Sequence, residues 1–112
     1  MRVIKYDDIP EKKVETQGAE GVGIRVLISE EDGAPNFIMR RFSVRPGGQT
    51  PYHSHSWEHE VFVLSGKGEA RQGSSVHELE SGSVVLVVPE EEHNFRNTGT
   101  EPLVFLCLIP IV

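Results

Sequence analysis

Three of the five histidines in this chain fall within seven residues, in the run His53-Ser54-His55-Ser56-Trp57-Glu58-His59. Imidazole is the commonest metal ligand among side chains, and positions 53, 55 and 59 share one parity. An extended segment interrupted by a tight turn would therefore aim all three rings at one point. With five histidines in 112 residues, chance places two further ones at fixed positions on the order of once in 500. A surface cluster or an artificial tag would account for the count. Trp57, Val61 and Val63 point instead to a structured strand.

A second segment runs from Gly82 through Val84-Val85-Leu86-Val87-Val88, then Pro89-Glu90-Glu91-Glu92, and reaches His93. A strand, a proline-acid turn and a histidine opening another strand would return one more imidazole to the same interior. The candidate metal ligands are thus His53, His55, His59 and His93. Four neutral nitrogen donors suit one borderline divalent ion. Glu60 competes with His59, but adjacent strand residues point to opposite faces, so one of the two is excluded. The parity of His59 matches His53 and His55. Glu60 then either faces away or orients a ligand ring from behind.

Short strands must position these residues. Val22, Ile24, Val26 and Ile28 lie on one side of a period-2 pattern, and similar runs follow at 37–44, 60–64, 76–79, 84–88 and 103–109. Turn residues separate them at Gly33–Pro35, Pro46–Gly48, Ser65–Gly68, Gly73–Ser75, Glu80–Gly82, Pro89–Glu92 and Asn97–Pro102. No convincing amphipathic helix interrupts the series. The expected fold class is all-β: a single-domain antiparallel sandwich or barrel of about ten short strands over residues 1–112. The runs 84–88 and 103–109 are apolar on both faces, which one small barrel cannot bury alone. A homodimer covering the outer face is the simplest solution.

Composition excludes several classes. A net charge of −6, from 11 Lys and Arg against 17 Asp and Glu, supplies no basic face for nucleic acid. Lys12–Lys13 and Arg40–Arg41 read as solvated pairs at strand ends. No apolar stretch is long enough to span a membrane, and the first residues lack an apolar core, so the expected location is the cytoplasm. The single Cys107 cannot form an internal disulfide.

Two stretches resemble a known family. Gly47 followed by His53, His55 and Glu60, with Gly66 beyond, is similar to the first cupin motif. Gly82, Pro89, His93 and Asn97 are similar to the second. The resemblance implies a jelly-roll-like cupin β-barrel with a metal held inside. Segments such as Ala34-Pro35-Asn36-Phe37, Pro46-Gly47-Gly48 and Phe105-Leu106-Cys107-Leu108-Ile109-Pro110 resemble the small single-domain cupins of thermophile type. In that group a four-histidine site holds manganese, which makes manganese the implied cofactor. Iron, nickel, copper or zinc would also suit the donors. Ser56 stands where the family has proline, and no glycine follows Pro89 by two residues.

Four histidines on an octahedral ion leave two positions open, and adjacent ones would admit a substrate beside dioxygen. The first expectation is therefore a dioxygenase-type oxidoreductase acting on a small, partly apolar molecule. Phe95, Phe105 and Cys107 share inward parity and are the candidate pocket residues. A non-catalytic module that binds or senses a small ligand is the second expectation. Sugar isomerisation or epimerisation is the third, although it calls for more acidic and basic groups inside the barrel. His77 reads as a solvent-facing strand residue, and Glu90-Glu91-Glu92 as a solvated turn.

Overall fold

The computed structural model describes residues 1–112, which form nine strands and two short 3₁₀ turns. The strands are β1 (Lys12–Lys13), β2 (Glu20–Ile28), β3 (Phe37–Gln49), β4 (His59–Ser65), β5 (Gly68–Gln72), β6 (Ser75–Leu79), β7 (Val84–Val87), β8 (Asn94–Asn97) and β9 (Leu103–Pro110). They join in one antiparallel sheet of order β6-β5-β8-β3-β9-β4-β7, with β2 added to β3 and β1 to β2. The sheet curls until its concave face encloses a core, in an all-β barrel. Its end strands β6 and β7 are not hydrogen-bonded to one another.

Alternation decides which side chains enter the core. In β4, Val61 and Val63 are buried while Glu60, Phe62 and Leu64 are exposed. In β9, Leu103, Phe105 and Cys107 are buried and share a face. Phe105 packs between Phe42 and Phe95, at ring-centre distances of 5.3 and 5.1 Å. Opposite this inner face, the outer side of β4, β7 and β9 leaves Phe62, Val84 and Leu86 uncovered. Of the two doubly apolar runs, 84–88 thus presents an apolar outer surface, whereas every residue of 103–109 is buried or half-buried.

One expected turn is not a turn. Pro46-Gly47-Gly48 lies inside the long strand β3, which continues to Gln49. Gly47 takes a φ of 77°, a left-handed conformation that a side chain resists. A Cβ on Gly48 would run into the Glu20 carbonyl oxygen. These two glycines let β3 bulge against β2 and bend without leaving the sheet. Its first part consequently pairs with β9 from Phe37 to Val44, and its last residue, Gln49, pairs with Arg96 of β8. The bend delivers the chain to Thr50 and the histidine run. Strand β5 was not expected, because Glu69, Arg71 and Gln72 dilute its apolar signal. Pairing with β6 and β8 forms it nonetheless.

Candidate metal centre

The segment from Thr50 to His55 runs antiparallel to the segment from Glu90 to Phe95. Thr50 N donates to the Phe95 carbonyl at 2.9 Å, and Glu90 N donates to the His55 carbonyl at 2.6 Å. Between these, His53 and His93 exchange both backbone hydrogen bonds, at 3.1 and 3.0 Å. From Tyr52 to Glu60 every even residue is exposed and every odd one is turned inward. His53, His55, Trp57 and His59 therefore share one side, and Glu60 is on the other.

The four rings close a circuit. Ring centres are 4.2 Å apart for His53 and His55, 5.2 Å for His55 and His59, 5.1 Å for His59 and His93, and 5.3 Å for His93 and His53. Two imidazoles bound to one ion at a right angle have centres about 4.5 Å apart, given a metal–nitrogen distance of about 2.1 Å. The circuit has the dimensions of a four-ring site. The rings are gathered without being trained on one point, and no three His, Cys, Asp or Glu side chains form a ready ligand set. Ligation would require ring rotations, foremost of His55, which lies flat on the Trp57 indole at 4.5 Å and 6°.

Hydrogen bonds settle which nitrogen two of the rings can offer. His53 Nδ1 donates to the Pro51 carbonyl at 2.7 Å, and His93 Nδ1 donates to the Glu91 carbonyl at 2.8 Å. A carbonyl only accepts, so these Nδ1 atoms carry the protons and both Nε2 atoms keep free lone pairs. His59 Nδ1 lies 3.3 Å from Cys107 Sγ, and its Nε2 is buried without a partner. An orphaned buried nitrogen on a ring that neighbours the His55 and His93 rings fits a metal ligand.

Electrostatics disfavour the charged forms of His55, His59 and His93. Burial, with the charge of Arg40 and the other rings adding to it, pushes the His59 pKa down to about 3. His55 is lowered by burial and then by His53, His93 and Arg40. His93 is also lowered, with burial outweighing the Glu91 carbonyl bond that favours its charged form. Neutral rings are the metal-competent form.

The circuit opens onto a cavity of about 500 Å³, whose walls include Phe42, Phe95, Phe105, Cys107 and Arg40. Phe95, Phe105 and Cys107 thus line the space that all four histidines enter. Glu60 is exposed on the far face of β4, opposite Leu86 and Leu108, and no histidine ring hydrogen-bonds to it. Ring orientation is instead the work of two backbone carbonyls and the Cys107 sulfur. His77 is exposed on β6.

Arg40 corrects the expectation of a solvated Arg40–Arg41 pair. It lies directly opposite Cys107 in the β3–β9 ladder, half-buried, and its guanidinium donates to Cys107 Sγ at 3.0 Å. The alternation Ile38, Arg40, Phe42, Val44 carried the signal, because Arg40 has the parity of fully buried Val44. Trp57, stacked on His55, is the other residue whose place at the site the sequence did not disclose.

Comparison with known proteins agrees with this architecture. The model of the cupin domain family matches residues 40–109, and the chain belongs to that family. Among curated relatives, Protein SchB of Streptomyces halstedii is 31% identical over 100 residues, 88% of this chain and 69% of SchB. The oxalate-binding protein of Thermotoga maritima is 28% identical over 111 residues, 96% of this chain and 92% of that protein. Among solved structures, the polyketide cyclase RemF from Streptomyces resistomycificus superimposes with a TM-score of 0.92 at 31% identity, covering 98% of this chain and 79% of RemF.

Proposed function

We propose that this cupin is a metal-dependent enzyme that activates a small, partly apolar, oxygen-bearing molecule in the cavity above His53, His55, His59 and His93. The observation that carries the reading is the closed circuit of four imidazoles at the base of an aromatic-walled cavity. A divalent ion there would supply Lewis acidity toward a ligand carbonyl or enol oxygen, undiminished by any anionic ligand. Manganese is the ion implied by the four-histidine resemblance; iron, nickel, copper and zinc suit the same donors. Phe42, Phe95 and Phe105 would bind the apolar part of the molecule and exclude water from one side of it. The Pro51 and Glu91 carbonyls hold the ring protons of His53 and His93 at Nδ1, so that Nε2 stays a donor, and Cys107 Sγ stands beside His59 Nδ1.

Redox-neutral chemistry is the first reading, supported by the near-complete superposition on a polyketide cyclase. No carboxylate lines the cavity, so a proton leaving an activated carbonyl compound goes to solvent. Dioxygenase-type oxidation is the second reading, supported by the positions that four ligands leave open on a six-coordinate ion.

One experiment separates these readings. Protein purified without metal-chelating chromatography is analysed for metal, loaded separately with manganese, iron and zinc, and incubated in D₂O with phenylacetone or benzoylacetone. Metal-dependent deuterium exchange without oxygen uptake supports activation of the carbonyl. Oxygen uptake supports oxidation. Metal binding with neither activity would reduce the protein to a binding module.

A further inference from the structure

Arg40 is a cation without a counter-ion. The one ion pair in the chain joins Arg2 and Asp32, and none of the 18 residues lining the cavity at the histidines is Asp or Glu. This is not a shortage of acids, since the chain has 17 of them against 11 Lys and Arg. The guanidinium stacks over the Phe42 ring at 5.0 Å and reaches Cys107 Sγ at 3.0 Å and His59 Nδ1 at 3.4 Å. Neither partner is an anion. Its Nε is buried and has no hydrogen-bond partner at all.

Holding a charge out of water without a partner is costly, and proteins ordinarily pair such a group or leave it exposed. Here the surrounding side chains supply no anion, and a divalent ion among the histidines would add positive charge beside the guanidinium. The site lacks negative charge that a ligand would bring. Arginine is also the side chain whose planar fork matches a carboxylate, with two parallel N–H donors. Beside it stand Phe42, Phe95 and Phe105, which favour an aryl or similarly apolar body.

We infer that Arg40 is an anion-recognising, specificity-determining residue, and that the natural ligand of this cavity is a small, partly apolar carboxylate. The inference rests on the reading of the cavity as the ligand site, and it holds whether or not an ion is bound there.

The test uses phenylglyoxylate and its neutral amide as probes. Each is titrated by NMR into the full-length protein, metal-free and zinc-loaded, as wild type, Arg40→Met and Arg40→Lys, with amide spectra confirming the fold of each variant. Metal-free wild type is expected to bind the carboxylate at least tenfold more tightly than the amide. Arg40→Met should bring that ratio to about one while leaving amide affinity within twofold, and Arg40→Lys should restore part of the preference. Calorimetry should also show zinc bound more tightly by Arg40→Met, because a like charge has been removed. A carboxylate preference that survives Arg40→Met, or its absence from the wild type, overturns the inference, as does failure of both probes to bind. If the wild type holds no metal yet shows an Arg40-dependent preference, the metal-enzyme reading fails and this one stands.

Discussion

His53 and His93, drawn from separate motifs, are hydrogen-bonded to one another through both backbone amides, at 3.1 and 3.0 Å. This bridge places two ligand candidates side by side before their side chains make any contact. Their rings can be lost without loss of the bridge, because it is made by main-chain atoms alone. Replacing His53 or His93 by alanine is therefore expected to leave the fold intact and lower metal affinity at least tenfold, read by calorimetry on protein stripped of metal. Unchanged affinity in either variant would remove that histidine from the ligand set.

Cys107 should govern His59 through its tautomer. Sγ accepts from Arg40 and lies 3.3 Å from His59 Nδ1; with the ring proton on Nδ1, a bond to Sγ leaves the His59 lone pair on Nε2. Cys107→Ala is expected to shift His59 toward the Nε2–H form and weaken metal binding about tenfold, within the range seen for groups that orient metal ligands. Cys107→Ser, which keeps an acceptor, should retain more of both. Imidazole ¹⁵N shifts of the metal-free protein report the tautomer directly; identical spectra for Ala and wild type would refute the role.

Stability of the metal-free protein should depend on pH in a stated direction. His59 has its pKa pushed down to about 3 in the fold, against about 6.5 for a free imidazole. Between those values the unfolded chain holds a proton that the folded chain does not, so stability rises with pH. It should be complete above about pH 6.5 and decline progressively toward pH 3, with His55 and His93 shifted in the same sense. Urea midpoints from pH 7 to 4 test this. The His59→Phe variant should show a flatter dependence, and an equal slope would dismiss His59 as the source.

Phe105 serves the core as well as the cavity wall. It is 1% exposed and packs on Phe42 and Phe95. Phe105→Ala should cost about 3 to 5 kcal/mol of unfolding free energy, measured by urea titration. Phe42 is only half-buried, so Phe42→Leu is the cleaner probe of ligand fit. It should change probe affinity with stability altered by less than about 1.5 kcal/mol.

The uncovered outer face predicts self-association. Val84 is 74% exposed, Leu86 61% and Phe62 45%, on adjoining strands of one sheet. A homodimer packed through this face would have a mass of about 25 kDa, from a chain of 12.5 kDa. Sedimentation at micromolar concentration should find it, and Leu86→Lys with Val84→Lys should give the monomer. A monomeric wild type would end this expectation.

The local sequence determined a great deal, because strand parity is a two-residue rule that needs no distant partner. His53, His55 and His59 share a side, Glu60 takes the other, and Phe105 and Cys107 face inward, all as alternation requires. Turn chemistry likewise marked Gly66, Gly73 and Gly82, each with positive φ. What sequence could not decide were relations between strands remote in the chain. Pro46-Gly47-Gly48 reads as a turn until β2 is seen pressing on a bulged β3. Arg40 reads as surface until β9 brings Cys107 opposite it, and Trp57 gives no sign that its indole carries His55. Each of these depends on which strands become neighbours, and that is set by the curl of the whole sheet around its core.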